Sequence, residues 1–344
     1  MVNYPAPCYN RAMKNFWLGL KKPIFAIAPM ANVTDAAFRR MFAECGRPSV
    51  FWTEFVSVEG LLSAGKEHLL PDLWYEKDEH PIVAQIFGAK PEQFTAAAEI
   101  IYELGFDGID INMGCPDRAV ERQGAGAALI KKPELARAII RATHEGAHGL
   151  PVSVKTRIGY SKNQMAEWLP ALLEENIAAL TVHLRTRSEM SKVAAHWELA
   201  PEVVALRDQY APHTLVLANG DVASLNDARA KIKESGLDGV MIGRGIFGNP
   251  WFFNDDTHGA APSIREKIER LVRHTEVFES LYKSNVSKRE GKIKNFEVMK
   301  KHYKAYANGF DGAKELRIRL MEAESAAEVK IVAEEFLKEL PDAA

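Results

Sequence analysis

The sequence predicts an α/β architecture, a (β/α)8 TIM barrel followed by a smaller all-helical C-terminal domain, and three observations carry that expectation. Short apolar runs recur about every 20 to 35 residues between residues 23 and 250, the segments between most of them have helical spacing, and from about Ser263 the runs stop. Alternating strand and helix requires parallel strands joined by right-handed crossovers, and eight repeats over this length match a closed barrel. An open doubly wound sheet is the alternative arrangement of the same elements.

The strand candidates, in order, are PIFAIAPM from Pro23, SVFWTEFV from Ser49, PIVAQIFG from Pro81, GIDINMG from Gly108, PVSVKTRIG from Pro151, ALTVHLRT from Ala179, TLVLANGD from Thr214 and GVMIGRGI from Gly239. After the third, Phe94, Ala97, Ala98, Ile101 and Tyr102 share one helical face behind Pro91 and stop before Gly105. Beyond Ser263 the chain reads REKIERLVRHTEVFESLYK, then FEVMKKHYKAYANGF, then a helical tail. The polar stretch NDDTHGAAPS has linker composition. The expected division is an N-terminal extension at 1–22, a barrel at 23–254 and a helical domain at 263–344.

Hydrophobic residues at 47% and charged residues at 26% of 344 describe a chain that folds around a large core, excluding disorder and coiled coil. No stretch approaches the roughly 18 uninterrupted apolar residues of a membrane span, and the start carries no signal-peptide run, so a cytoplasmic location and no membrane partner are expected. Cys8, Cys45 and Cys115 lie far apart without metal-ligand spacing, which argues against a disulfide framework and against a metal site. The formal net charge of −2 hides a contrast: residues 265–320 alone carry +7, leaving −9 for the rest. A basic module of this kind can bind nucleic acid although the whole chain is neutral.

Alternation along a strand separates barrel interior from helix-facing side. Val152 and Val154 form one set, and Ser153, Lys155 and Arg157 the other, which must face inward. The same split turns Thr181, His183 and Arg185 inward against Leu180 and Val182, and Asp110 and Asn112 inward against Ile109 and Ile111. Polar inward residues near strand C-termini are what a catalytic barrel mouth requires. An ammonium inside a barrel needs compensation, either a ligand or a buried ion pair of Lys155 with Asp110 or Glu54. His183 taken alone reads as a core histidine; beside Lys155, Arg157 and Arg185 it reads as part of a site.

The last two strands end in Asn219-Gly220-Asp221 and Gly243-Arg244-Gly245. Barrels bind phosphate with the loops after these strands, so a phosphate-bearing ligand is expected; plain glycine turns are the alternative. Cys115 follows a strand end in NMGCP, where a barrel places reactive groups, whereas Cys8 and Cys45 read as small buried apolar residues. The downstream QGAGAAL segment reads as a flexible loop able to move over the mouth.

Taken together these segments resemble the tRNA-dihydrouridine synthase family, through APMANVTDAAFR at 28–39, TEFVS at 53–57, QIFG at 85–88, DINMGCP at 110–116, VKTRIG at 154–159, TVHLRTR at 181–187, NGDV at 219–222 and GRGIFGNPW at 243–251. KHYKAYANGFDGAKELRIRL at 301–320 is similar to the family's RNA-binding helical domain. The resemblance implies reduction of specific uridines in tRNA to 5,6-dihydrouridine by FMN, with NADPH or NADH as reductant. It implies that Pro29 and Met30 line the flavin, that Gln85 and Lys155 bond its polar edge, that His183 lies beside it, and that Asn219, Gly220, Asp221, Gly243 and Arg244 hold ribityl and phosphate. Cys115 is implied to protonate uracil C5 while hydride reaches C6, with Asn112, Arg157 and Arg185 holding the base and its flanking phosphate. The base must leave its stack to be reached. The chain departs from the family pattern in having Leu184 where glycine is usual, and SEMSKVAAHW in the following loop. A dihydroorotate dehydrogenase-like enzyme acting on a free pyrimidine would share the lysine and the phosphate loops but has no use for a basic helical domain; a flavin-free barrel serving as an RNA-binding module would not need Cys115, Lys155 and His183 together. Ribosomal RNA remains an alternative substrate to tRNA, and a monomer is expected.

Overall fold

The computed structural model describes residues 15–254, 262–282 and 294–340. Each of the eight apolar runs contains a strand: β1 (Ile24–Ile27), β2 (Phe51–Ser57), β3 (Ile82–Phe87), β4 (Gly108–Asn112), β5 (Val152–Arg157), β6 (Ala179–His183), β7 (Leu215–Asn219) and β8 (Gly239–Ile242). All pairings are parallel, in the order β1-β8-β7-β6-β5-β4-β3-β2. The ends of that sheet meet where Ala26 bridges Val50 and Ser49 N–H donates to Phe25 C=O at 2.8 Å. The sheet therefore closes, and the open-sheet alternative falls away. Nearly every strand residue is buried, as a parallel sheet covered on both faces demands.

The helices include α1 (Ala36–Cys45), α2 (Pro91–Glu103), α3 (Pro133–Gly146), α4 (Met165–Leu173), α5 (Ala200–Tyr210) and α6 (Leu225–Ser235), each between consecutive strands. Helix α2 starts on Pro91, buries Phe94, Ala97, Ala98 and Ile101, and ends just short of Gly105. The barrel interior changes character along its axis. At the strand N-termini Ile24, Ala26, Val50, Trp52, Val83, Ala179, Leu215 and Leu217 form an apolar floor, and Trp17 joins it. Trp17 lies on a short 3-10 turn, Phe16–Gly19, 5.7 Å from the Trp52 ring. The described part of the N-terminal extension, residues 15–22, thus plugs the base of the barrel; residues 1–14 lie outside the described residues.

The chain divides into two compact units: residues up to 31 with 48–243, and 32–47 with 244 onward. The linker expected at 255–262 falls almost wholly outside the described residues. The second unit gathers α1 with α7 (Ile264–Tyr282), α8 (Met299–Tyr306), α9 (Ala313–Glu322) and α10 (Ala326–Glu339). Helix α1 begins on an Asp35 cap, its Ala36 N–H donates to the Tyr282 hydroxyl at 3.2 Å, and Glu44 near its other end pairs with Arg270 and Arg273. Phe38 packs against His274 and His302. No helix among the described residues is long and apolar enough to cross a membrane.

His274 and His302 are fully buried, their rings 4.7 Å apart, and none of their four ring nitrogens has a hydrogen-bond partner among the described residues. Burial, with Arg270 adding to it, pulls His274 down to about 3; burial, His274 and Lys301 hold His302 well below the ordinary 6.5. Below pH 6.5 the unfolded chain takes up protons that the folded pair refuses. Stability is therefore complete above the ordinary imidazole range and declines as pH falls, by on the order of 1–2 kcal/mol per histidine by pH 5. A His274→Phe/His302→Phe variant should lose most of this pH dependence, measured as the difference in urea midpoint between pH 7 and pH 5.

Candidate active site at the barrel mouth

Above the apolar floor the interior turns polar, and each polar group is answered by the next strand. Pairing aligns Gln85 with Asp110 and Asp110 with Ser153. Asp110 accepts from Ser153 Oγ at 2.6 Å and from Gln85 Nε2 at 2.6 Å; Gln85 Oε1 accepts from Asn112 Nδ2 at 2.9 Å. Asn112 Oδ1 then accepts from the backbone N–H groups of Gly114 and Cys115 at 3.1 and 2.9 Å. This directed chain runs from mid-barrel to the backbone of the cysteine loop. Burial pushes Asp110 up to about 6 against the donors Gln85 and Ser153.

Lys155 donates to Asn219 Oδ1 at 3.3 Å rather than to a carboxylate, and Asn219 Nδ2 donates onward to Met241 C=O at 2.7 Å. The ion-pair reading of Lys155 is thereby set aside. Two of its three ammonium hydrogens have no acceptor among the described residues. Burial, then Arg157, lowers it to about 8, with Asp110 opposing. His183 Nε2 lies 3.2 Å from Arg185 Nη1, and because a guanidinium only donates, this nitrogen carries the lone pair.

Cys115 packs beside Phe87, Val120, Ala125 and Phe55. Burial, with the Asp117 charge adding to it, raises its thiol above the ordinary 9.0, opposed by the Asp117 backbone N–H and by the charges of Arg157 and Lys155. The thiol is therefore protonated at neutral pH. It is suited to give a proton and poorly suited to attack as a thiolate. The QGAGAAL segment is fastened to this loop: Ala127 N–H donates to Cys115 C=O at 3.0 Å, and Gly126, at φ +61°, brings its α-carbon so close that a Cβ would lie 2.8 Å from that same oxygen. The segment enters a 3-10 turn, Gly126–Lys131.

Arg157 and Arg185, expected to face substrate, are turned into the protein. Arg157 Nε donates to Gly114 C=O at 2.7 Å and Nη1 to Thr186 C=O at 3.2 Å, tying the cysteine loop to the loop after β6. Arg185 is 2% exposed and binds Val193 C=O, His183 and the carboxylate of Asp221. Asp221 also accepts from Ala195 N–H at 2.9 Å, and Trp197 Nε1 donates to Gly220 C=O at 2.8 Å. The SEMSKVAAHW loop is thus pinned to the end of β7, and Glu189 braces it by binding Thr186 N–H and His196. Leu184 is wholly buried, so it fills apolar space and leaves the mouth unchanged.

Pro29 is buried and Met30 half-buried at the end of β1, and Arg244 is exposed. Gly220 is required by the protein itself: its φ is +137° and a Cβ would lie 2.7 Å from Ala195. Gly243 is different. A Cβ there would meet only Ala28 at 3.7 Å and Met30 Sδ at 3.9 Å, with no positive φ, so nothing in the fold demands a glycine and the open space suits close approach of a ligand. Three contributors escape the sequence reading as site residues: Asp110, Ser153 and Glu189. Strand parity already places Asp110 and Ser153 inward, and aligning adjacent strands would have joined them to Gln85.

In the helical unit, Lys300 pairs with Glu297 and Lys301 donates to Asn32 C=O. Lys304 and Lys314 have no partner among the described residues and line an open groove of about 410 Å³ on α8 and α9 with Ile318, Met321, the carboxylate Glu322 and Arg317, whose Nη1 donates to Ala307 C=O. Among the described residues no cluster of metal-ligating side chains occurs.

A family model described as dihydrouridine synthase matches residues 26–341. A probable tRNA-dihydrouridine synthase of Staphylococcus aureus strain Mu50 is 42% identical over 325 residues, covering 94% of this chain and 96% of the relative. The probable tRNA-dihydrouridine synthase 2 of Bacillus subtilis strain 168 is 43% identical over 331 residues, covering 96% and 98%. Among solved structures, a variant of NCR from Zymomonas mobilis superposes with a TM-score of 0.50 at 16% identity over 71% of this chain and 89% of the other, a likeness of fold alone.

Asn112→Ala would leave two backbone N–H groups and the Gln85 carbonyl unanswered in a buried site. A stability loss of about 1–3 kcal/mol is expected, read from the denaturant midpoint. The Thr181→Ala variant, which touches none of this chain, serves as comparison.

Proposed function

The chain belongs to the dihydrouridine synthase family, and from that membership and the barrel-mouth geometry we propose that it reduces specific uridines of tRNA to 5,6-dihydrouridine, with Cys115 delivering the proton to C5. The observation that carries the assignment of roles is the protonated Cys115 thiol on a loop anchored through Asn112, Gln85 and Asp110, at the mouth that also holds Lys155.

The residues present fit an FMN: Lys155 offers two unanswered N–H donors, and Gly243 leaves room over Ala28 and Met30. FMN, reduced by NADPH or NADH, would supply the hydride that uracil accepts at C6. Lys155 would hold its polar edge, with Gln85 and His183 alongside; Pro29 and Met30 would line it, and Asn219, Gly220, Asp221, Gly243 and Arg244 would form the ribityl and phosphate end. Asp221 serves chiefly through Arg185, which it fixes against His183. Arg157 acts in the same indirect way on Cys115, by gripping Gly114 C=O, while Asn112 keeps one amide hydrogen for the uracil edge.

Cys115 holds its proton until C5 needs it, and Asn112 and Arg157 keep the sulfur on station. The base enters extruded from its stack. The enzyme would act as a monomer in the cytoplasm, where tRNA and reduced nicotinamide cofactors meet. The unpaired Lys304 and Lys314 beside Arg317 favour an RNA substrate over a free pyrimidine.

In single-turnover oxidation of pre-reduced enzyme by tRNA, Cys115→Ala should slow uridine reduction by about 10²–10⁴-fold, the usual worth of a general acid, while flavin content stays at the wild-type level. Cys45→Ala should leave the rate within a few-fold, and an equally small effect at Cys115 would remove it from the mechanism.

Charge reversal at the helical groove tests the RNA assignment. Lys304→Glu/Lys314→Glu should weaken tRNA binding and flatten its dependence on salt, whereas Lys300→Ala, which breaks only a local pair, should do little. Filter binding at several salt concentrations distinguishes the two.

A further inference from the structure

Because Arg157 and Arg185 are bound within the protein, the phosphates beside the target nucleotide need another cationic partner near Cys115. One stands three residues downstream. A short helical turn, Arg118–Arg122, follows Cys115-Pro116-Asp117, and its direction is fixed by Asp117, whose Oδ1 accepts from Ala119 and Val120 N–H at 2.7 and 3.3 Å. Arg118 and Arg122 lie one turn apart and both are exposed. Arg122 Nε donates to Arg118 C=O at 3.3 Å, leaving its terminal nitrogens available, and the Arg118 guanidinium has no partner among the described residues. Glu121 stands between them and could cancel their charge, but Arg187 Nε binds its carboxylate at 2.8 Å and neutralises it. The three residues line an open groove of about 470 Å³. Nearby, Lys131 Nζ stands 3.7 Å over the Tyr160 ring.

We propose that Arg118 and Arg122 clamp an RNA phosphate next to the target uridine and so set which nucleotide is presented to Cys115. The inference rests on the reading of the activity given above. Two exposed guanidinium groups at helical spacing, with the intervening carboxylate neutralised, suit a phosphodiester better than a neutral or cationic group. Three residues of chain span at most about 10 Å, so a phosphate held there belongs to the target nucleotide or its immediate neighbour.

The test is an Arg118→Gln/Arg122→Gln variant of the full chain, with Arg118→Lys/Arg122→Lys beside it. Both changes are on the surface, and an unchanged melting temperature confirms folding. The glutamine variant should raise KM for tRNA about tenfold or more with kcat at saturating tRNA little changed, lower the salt slope of tRNA binding by about 1–2, and spread dihydrouridine to neighbouring uridines when sites are mapped. The lysine variant should recover part of the affinity. The same phosphate chemistry is offered by NADPH, so KM for the reductant is measured in parallel. A rise in KM for NADPH with tRNA unaffected would assign the groove to the reductant and overturn the proposal, as would unchanged KM, salt slope and site pattern. If the wild-type enzyme leaves tRNA uridine unreduced, the reading of the activity fails, and the clamp is judged on binding: wild-type affinity and salt slope in the glutamine variant overturn it.

Discussion

The upper half of this barrel depends on one constraint, that polar side chains carried into a closed sheet must find partners among themselves. Asp110 meets it first. With Gln85 and Ser153 both donating to it, the carboxylate is held in place without a cation, and Lys155 is released to bind Asn219 instead. An Asp110–Lys155 pair would have satisfied both charges and closed the interior. Burial is what moves both, Asp110 up to about 6 and Lys155 down to about 8, each opposed by the other's charge, and the ammonium is left to bind Asn219. The same chain of hydrogen bonds ends on the backbone of Cys115, so the proposed flavin level and the loop proposed to carry the proton are built from one network.

The barrel was legible because its evidence is local. Eight apolar runs contain all eight strands, and residue parity along β4, β5 and β6 identifies the inward set before any pairing is known. The base plug was not, since nothing around Phe16 and Trp17 announces that they complete an apolar floor made of strand residues far along the chain. Helix α1 illustrates the same limit. Its position between β1 and β2 marks it as an ordinary barrel helix, yet its compact unit is the C-terminal one, because Phe38, Ala36 and Glu44 find partners on α7 and α8. Such partnerships lie more than 200 residues apart and leave no mark on local pattern.

Within the candidate site, residue parity indicates which side chains face inward but not which partners they find. Arg157 and Arg185 sit at the predicted strand ends, but a guanidinium carries several donors and no pattern reveals whether carbonyls of neighbouring loops will take them. Here Gly114, Thr186 and Val193 do. The basic segment shows the same effect. Its excess of +7 overstates what is available to a partner, because Glu297 takes Lys300, Glu44 takes Arg270 and Arg273, and Glu335 takes Arg319. Among the described residues of α8 and α9, Lys304 and Lys314 have no such partner and stand beside Arg317.

Cys115, the proposed proton donor, and Cys45 share more than their proposed roles suggest. Both are half-buried, and burial raises both above the ordinary thiol value, so a raised pKa separates nothing. Their surroundings differ. Cys45 ends a helix beside Arg270 and Glu44, where its backbone carbonyl accepts from Asn254 at 3.3 Å, a bond that any residue could make. Cys115 stands on a loop whose two preceding amides are fixed by Asn112 and whose carbonyl is fixed by Ala127, with the cations Arg157 and Lys155 close enough to ease loss of its proton. A group that must surrender a proton in the transition state and regain it afterwards needs both features: burial to keep it protonated at rest, and nearby positive charge to stabilise the thiolate left behind. Cys45 has burial and the charge of Arg270 as well, so what sets Cys115 apart is its place on a loop fastened at the barrel mouth, beside the inward face of β5 that carries Lys155 and Arg157.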